Sequence, residues 1–583
     1  MDLKKKLRDE RGVALVIAIL ISVAVAALVA GAYMMGGTTR IIGRYNERVS
    51  VLESVAEAGI EEARSAINGD KTLYPDSLYN ALENGVTVAD GAGNAIPNVR
   101  RYTYVGPTGI TTGQYGVFGS IVSVAEDDFG NRVVRRGEVR QESFAKYAYF
   151  TTIEGNIWFA SGDQIWGPVH SNDRIQIYST GAWFHSDVTT ARDIYQASYG
   201  TFDLGYTEWA PSIPMPTTAD LTKLRVQGQA GNTAFTGNTT GGLGEATTRI
   251  QFIAVDLNAD GDVNDPNEGF IRVYQHLTDP NWVSGDVPPD YGTRQLENSK
   301  NCGDWAGGTF MVADDHPGTG AHNHDWLASV TGSGRRCYLG GADEIWGGFD
   351  AGPDAMGGRW LTWPGGAVAG AAGRPDAGYL FPISRELNPN FKGVIFVDGS
   401  VVISGVLRGR VTVAATGSIV IGDDVRYATD PGLGTCQDML GIFSGNDAVI
   451  ADNTLNAPVI PEGGYDYLTY DETSDEFIHG VVLALNNFTA ENYSSGSNND
   501  EYCQGTKAGR GCIFLTGGII QRQRGPVGLT DGHGYVKRYS YDSCVLEDPP
   551  PYFPTTGHFA RGRIFEIDPT GFNVLDFYRL LTP

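Results

Sequence analysis

The chain has 583 residues, with 43 Lys and Arg against 68 Asp and Glu and a formal net charge of −25. That size leaves room for two to four domains, and the acidity argues against a protein that coats DNA or RNA through a general basic footprint, so no nucleic acid partner is expected. Glycine, at 78 residues, and an aromatic content of 11% point to turn-rich β structure and away from a helical bundle or a disordered tail.

The N-terminus is basic, with Lys4, Lys5, Lys6, Arg8 and Arg11, and runs into an uncharged stretch from Val13 to Met35. As a helix that stretch spans roughly 34 Å, enough for the ~30 Å hydrocarbon layer. Basic residues are more numerous before the stretch than after it, where Arg40, Arg44 and Arg48 stand. The imbalance predicts a single pass with the N-terminus in the cytoplasm and the bulk exported. Three readings of the segment compete: an uncleaved signal anchor, a signal peptide cut near Ala30 and Ala32, and a leader cut between Gly12 and Val13. The apolar run is longer than the ~7 to 15 residues of an ordinary signal peptide core.

From Arg40 to Ile67 there is no proline, and Tyr45, Val49, Leu52, Ala56, Gly59, Ala63 and Ile67 recur at steps of four and three. This is one face of an amphipathic helix, with Glu53, Glu57 and Glu61 on another. If continuous, Val13 to Ile67 makes a rod of about 80 Å, interrupted at most near Gly36 and Gly37. The predicted segments are a leader over 1–12, a membrane helix over 13–36 and an amphipathic extension over 37–68.

On these residues (the basic leader ending in Arg11-Gly12, the VALVIAIL start and the later AEAGIEEA) the N-terminus resembles PilX-type minor pilins and related pseudopilins. The resemblance covers residues 1 to about 67. It implies a prepilin peptidase that cuts after Gly12, storage in the bacterial inner membrane, and packing of the freed helix against other pilins or pseudopilins in a fibre. Most major pilins carry a glutamate at the fifth mature position, which here is Ile17. That departure implies a tip or initiating role in place of a repeating shaft position.

Residues 69–146 read as a small β-rich module, with strand-like runs at Arg101–Val105, Tyr115–Val124 and Arg132–Arg140. Over 147–215 and again over 391–548, short β-branched and aromatic runs alternate with glycine turns about every eight to ten residues. This texture predicts either a sandwich or a solenoid, and a parallel β-solenoid in two portions is favoured because the turns within Val394 to Ile421 are too brief for helical crossovers and form no long hairpin loops. Residues 216–390 read as a long Asp- and Gly-rich insertion, and 549–583 as a C-terminal segment opening on PPPYFP. With GPVHSND at 167–173, these stretches resemble an uncharacterised extracellular domain found behind PilX-type N-termini, over residues 147–554. The fold class expected is mainly β, with a long N-terminal helix, a small β-rich module and an interrupted solenoid.

The sharpest chemical signal is DLNADGDVNDPNE, where Asp256, Asn258, Asp260, Asp262 and Asn264 alternate around Gly261. Oxygen donors at that spacing suit Ca²⁺, which takes six to eight of them. The twelfth position holds Asn267, so Asp265 or Glu268 completes the shell with a shifted loop, and calcium is expected to stiffen the insertion and not to catalyse. The competing reading is a solvated Asx turn. A second cluster, Asp314, Asp315, His316, His322, His324 and Asp325, lies between Pro and Gly residues and reads better as a polar loop than as a metal site. The cysteines are Cys302, Cys337, Cys436, Cys503, Cys512 and Cys544, and an even count in an exported region permits up to three disulfides. Cys302 with Cys337 would close the loop that carries the His cluster, and Cys503 with Cys512 would close a short one; buried free thiols are the competing reading.

There is no G-x-S-x-G elbow and no P-loop, and His170 and His185 sit in turn-like contexts as packed or capping residues. Asp398, Asp423 and Asp424 are the carboxylates a glycan-cleaving groove would use, but turn chemistry accounts for them. Trp158, Trp166, Trp183 and Phe184 suit sugar stacking or rung packing, with packing favoured. The sequence thus reads as a non-enzymatic minor pilin or pseudopilin presenting a large β-domain for adhesion or assembly, toward a surface or glycan receptor. An envelope adhesin or scaffold that never enters a fibre is the alternative, and a glycan-active enzyme is the third class.

Overall fold

The computed structural model describes residues 3–581 except 76–77, 109–113, 115, 161–162, 238–247, 277–303, 307–308, 312–324, 332–333, 341–357, 373–376, 451–475, 491–492, 495–510 and 530–532. It describes the backbone alone for 3–12, 249, 274, 276, 423, 511, 547 and the strands between 304 and 360. The chain divides into two units. One comprises Met1–Ile110, Phe118–Arg140 and Phe559–Pro583, the other Thr111–Val117 and Gln141–His558.

The first unit begins with α1, a single helix from Leu3 to Gly69 that passes through Gly36 and Gly37 without a break. Four antiparallel strands follow: β1 (Asn80–Ala89), β2 (Ala95–Pro107), β3 (Phe118–Asp127) and β4 (Arg132–Ser143). A fifth strand, Thr555–Ile567, extends this sheet beside β4. Residues 559–583 of the C-terminal segment are therefore part of the small β-rich module that the sequence placed at 69–146.

Strand parity sorts the two faces of this sheet. Val99, Ala125 and Val133 pack with Leu52, Val55 and Ala56 of α1, whereas Val122, Val124 and Val134 pack with Tyr578 of the C-terminal helix Val574–Leu581. Two glycines let α1 lie close to the strands. A Cβ on Gly59 would stand 2.4 Å from the Ser123 hydroxyl, and one on Gly137 would stand 2.4 Å from Ile60. The acidic flank of α1 is matched by arginines on the sheet. Arg101, 4% exposed, pairs with Glu62 and Glu83, and Arg135 pairs with Glu53 at 2.7 Å. The basic run Arg132–Arg140 is in this way partly spent inside the unit.

The second unit is a mixed sheet dominated by parallel ladders. Its first rungs are β5 (Tyr149–Ile153), β6 (Gln164–Ile165), β7 (Val169–Ser171), β9 (Ala182–Phe184), β10 (Val188–Thr190), β12 (Gly200–Phe202) and β13 (Tyr206–Thr207), while β8 (Ile175–Gln176) and β11 (Ile194–Tyr195) form a separate parallel pair. Tyr149 pairs with Val169, Val169 with Val188 and Val188 with Tyr206, all parallel. The same relation links Val394–Asp398 to Arg410–Ala415, Met439–Ser444, Glu476–Ala490 and Gly511–Arg524 in turn. Gly511–Arg524 then pairs in parallel with β5, Ile519 facing Tyr149. The rungs of 149–207 thus stack after those of 394–524, against their order in the chain.

The insertion predicted for 216–390 supplies part of this sheet. Ala234–Thr236 pairs in parallel with Val394–Asp398, and Thr248–Ala254 with Val401–Leu407. Thr248–Ala254 also forms an antiparallel hairpin with Gly269–His276. This hairpin corrects the expectation of a wholly parallel solenoid to a mainly β, mixed architecture.

Alternate residues of a rung enter two different cores. Ile395 and Val397 join a layer with Ile403, Val413, Val482 and Ile519, while Val394 and Phe396 join one with Phe150, Leu483 and Ile520. The second layer is covered by Leu221, Leu224, Val545 and Phe553, so the PPPYFP motif is a lid over outward-facing rung residues. Strands buried on both faces read as continuous apolar runs, as VVIS and MLGIFS do.

His479, on Glu476–Ala490, accepts a hydrogen bond at Nδ1 from the Tyr427 N–H at 3.0 Å. Burial, reinforced by the Arg426 charge, holds its pKa down to about 4. The unfolded chain binds this proton near pH 6.5, so the contribution is full above that value and is lost as pH falls toward 4. The expected loss is on the order of 3 kcal/mol over that window. Comparing urea midpoints of the wild type and His479→Gln at pH 7 and pH 4.5 tests this, since the wild type should lose more stability than the variant.

Candidate functional site

The first candidate is the N-terminal half of α1. Val13–Gly69 is long and apolar enough to cross a membrane, and its most apolar window has no buried residues. Tyr33 is 84% exposed, and Leu15, Ile19, Leu28 and Met34 are likewise open. The hydroxyls in or beside this region turn back on the helix: Ser22 donates to the Ala18 carbonyl at 2.7 Å and Thr39 to that of Met35 at 2.8 Å. With the Ser22 hydroxyl satisfied within the helix, the segment presents an apolar surface, interrupted by the exposed Tyr33, that suits lipid or partner helices. Gly12 and Val13 both lie within α1. Tyr45, placed by periodicity on the packing face, is 56% exposed, whereas Leu52, Ala56, Ala63 and Ile67 are buried as the spacing predicts.

The second candidate is the Asp-rich loop, which forms the connection of the hairpin between Thr248–Ala254 and Gly269–His276. Asp256 accepts from the Ala259 and Gly261 N–H groups, and Asp260 and Asp262 accept from the second residue beyond each. Asn258 donates to Asp260 at 2.9 Å and to Asp265 at 3.0 Å, which gathers these three side chains. Glu268, 1% exposed, takes the Leu257 N–H on one carboxylate oxygen and the Asp265 N–H on the other, both at 2.9 Å. It closes the base of the loop, while Asn264 faces a different partner. Arg408 donates to the carbonyls of Asn264 and Asp265 and is ion-paired with Asp438 at 3.1 Å, both side chains being buried. Among the described residues no group of three His, Cys, Asp or Glu side chains converges as metal ligands.

The remaining sequence candidates are dispersed. Asp398 pairs with Arg225 at 2.8 Å, and Asp424 is buried, accepts from the Phe477 N–H at 2.7 Å and pairs with Arg426. The Asp423 side chain lies outside the described residues. His170 is buried and satisfied by Thr189 and Asn172, and burial lowers its pKa. Phe184 is a core residue, but Trp166 and Trp183 are 49% and 44% exposed, facing solvent where rung packing was expected. The cause is parity: in β9, Ala182 and Phe184 point inward and Trp183 outward. The cluster around His316, His322 and His324 lies outside the described residues.

A disulfide joins Cys436 to Cys544 across 108 residues of sequence, a pair that loop length did not single out. Cys512 is buried and disulfide-bonded. The side chains of Cys302, Cys337 and Cys503 are outside the described residues, so the pairs Cys302–Cys337 and Cys503–Cys512 fall there too.

No family model and no curated protein matches the chain. Among solved structures, the competence-associated pilin ComZ from Thermus thermophilus aligns at 12% identity over 88% of this chain and 97% of that one. The TM-score is 0.23, too low to carry an argument about fold or function.

Arg408 anchors the Asp-rich loop to the rung beneath it. Replacing it by Ala leaves Asp438 as an uncompensated buried charge and is expected to cost about 3–5 kcal/mol. Hydrogen exchange should accelerate at 257–268 in Arg408→Ala, and unchanged exchange there would remove the anchor role.

Proposed function

We propose that the chain is a PilX-like minor pilin or pseudopilin of a type IV pilus-like system, with a tip or assembly-initiating position. In this reading Val13–Met35 is stored in the bacterial inner membrane, with Lys4 to Arg11 in the cytoplasm. A prepilin peptidase cuts between Gly12 and Val13, and the freed helix exchanges lipid for the helices of other pilins. The exported rungs, read as a β-solenoid, are presented for adhesion or assembly, and the role is non-enzymatic. One observation carries the proposal: α1 is unbroken, and from Val13 to Met35 it is bare and apolar, yet it is buried against an antiparallel sheet from Leu52 to Ile67. A head of this bulk would crowd a repeating shaft, and Ile17 stands where the resemblance calls for a glutamate, so a terminal place is favoured.

Mass spectrometry of protein recovered from its native membrane tests the reading. A mature chain starting at Val13 is expected. An intact Met1 would instead support a fixed envelope adhesin or scaffold, and a start after Ala32 a cleaved signal peptide.

Calcium at the Asp256–Glu268 loop is a second part of the proposal. The carboxylates of Asp260 and Asp265, which converge on the Asn258 amide nitrogen, and the neighbouring carboxylates of Asp256 and Asp262 are the oxygens a hard cation would use, and such an ion would tie the loop more tightly to Thr248–Ala254 and Gly269–His276. The expected outcome is a thermal midpoint raised by millimolar Ca²⁺, returned by EGTA, and insensitive to both in Asp260→Ala. An equal midpoint with and without the ion would remove calcium from the account.

A further inference from the structure

The surface of β6, β9 and β12 carries a cluster that the reading above does not use. Gln164 faces Trp183 and Trp183 faces Thr201 across these rungs. Ile165, Phe184 and Phe202 occupy the next register, and Trp166, His185 and Asp203 the one after. The Trp166 and His185 rings are stacked at 3.5 Å between centroids and 13° between planes, and Trp183 lies 4.4 Å from His185 at 37°. One carboxylate fixes both partners of this arrangement: Asp203 accepts from Trp183 Nε1 and from His185 Nδ1, each at 2.8 Å.

Because the carboxylate can only accept, the proton of neutral His185 sits on Nδ1 and Nε2 is left as an acceptor. The His185 side chain is only 6% exposed, and its Nε2 is buried without a hydrogen-bond partner among the described residues.

We infer that Trp166, Trp183, His185 and Asp203 form a binding subsite for a neutral pyranose chain. Two half-exposed indoles, immobilised before any ligand arrives, offer flat π faces to the polarised C–H groups of a sugar ring with little ordering entropy left to lose. The exposed side chains of Asp203, Gln164 and Thr201 supply the acceptors and donors that hydroxyls need. Nucleic acid also stacks on aromatic rings, but it needs a basic groove, and this chain has a net charge of −25 with a carboxylate in the cluster. The same charge disfavours acidic polysaccharides. A lipid surface calls for a basic rim, and the four residues include a carboxylate and no Lys or Arg. The inference goes beyond the pilin reading and does not rest on it, because the subsite binds whether or not the chain enters a fibre.

The test uses the full chain in a polyoxyethylene detergent, which has no sugar headgroup to compete. The probes are microcrystalline cellulose and chitin for retention, and cellohexaose and N-acetylchitohexaose for calorimetry and tryptophan fluorescence. The wild type is expected to bind at least one probe, with affinity falling about tenfold in Trp166→Ala and in Trp183→Ala. Trp166→Phe, which keeps a ring, should recover most of that loss. Leu433→Ala, which removes an exposed apolar residue outside the cluster, should bind like the wild type, and matched thermal transitions establish that the variants are folded. Binding to none of the four probes, or equal binding by both Trp→Ala variants, overturns the inference. Self-association or vesicle binding that disappears in those variants, without any sugar binding, assigns the cluster to a second copy or to lipid and overturns it as well.

Discussion

The larger unit depends on the parallel hydrogen-bonded ladder. In a parallel stack each strand satisfies its backbone on both edges with neighbours of its own kind, and every position stacks on the equivalent position of the next rung. Val394–Asp398, Arg410–Ala415 and Met439–Ser444 follow this rule with Val, Ile, Leu, Ala and Phe buried in succession. Two-sided burial needs two cores, and the sequence supplies the second with residues outside the rungs, including Leu221, Leu224, Val545 and Phe553. A proline-rich stretch is suited to that covering task, since it gives up backbone donors and lies against the rungs without competing for their hydrogen bonds.

Polar groups enter this interior in closed sets. Arg524 is ion-paired with Glu154 at 3.1 Å and lies over the Phe159 ring at 3.9 Å, while Glu154 also accepts from Thr151 and Tyr149. Lys537 meets Asp163 at 3.2 Å, and Arg408 meets Asp438 beneath the Asp-rich loop. Such pairs add little net stability over apolar packing but are costly to break singly. They act as register pins: a one-rung slip would leave Arg524 buried without Glu154. The smaller unit uses the same chemistry at its helix–sheet contact, where Arg101 and Arg135 take up carboxylates of α1.

Much of this was legible in the sequence because it rests on local periodicity. The apolar run from Val13, the packing face of Leu52, Ala56, Ala63 and Ile67, and the rung texture near Val394 to Ile421 are one-dimensional signals, and each corresponds to an element. What periodicity cannot carry is long-range pairing. Nothing local indicates that Thr555–Ile567 lies beside β4, that Cys436 meets Cys544, or that residues 234–236 and 248–254 of a loose-looking insertion line up with rungs beyond position 390. The candidate sites divide in the same way. Alternating Asp and Asn correctly marked a turn-dense loop, but Glu268 is spent on closing its base, and Arg408 enters from more than a hundred residues away. Trp166 and Trp183 were misjudged because an aromatic between glycines looks the same facing in or out until the parity of a two- or three-residue strand is known.

The order of rungs in space has a consequence for how the molecule comes into being. Tyr149 on β5 cannot find Ile519 until some 370 residues of intervening chain have been made and delivered, and the strand at Thr555–Ile567 must likewise travel back to β4. Contacts of such sequence separation are slow to close, and until they do the early rungs expose unpaired edges and apolar faces. A chain synthesised from its N-terminus meets this problem in time as well as in space: its earliest rungs must wait for partners that are made hundreds of residues later. A net charge of −25 favours solubility over self-association while those edges are unpaired.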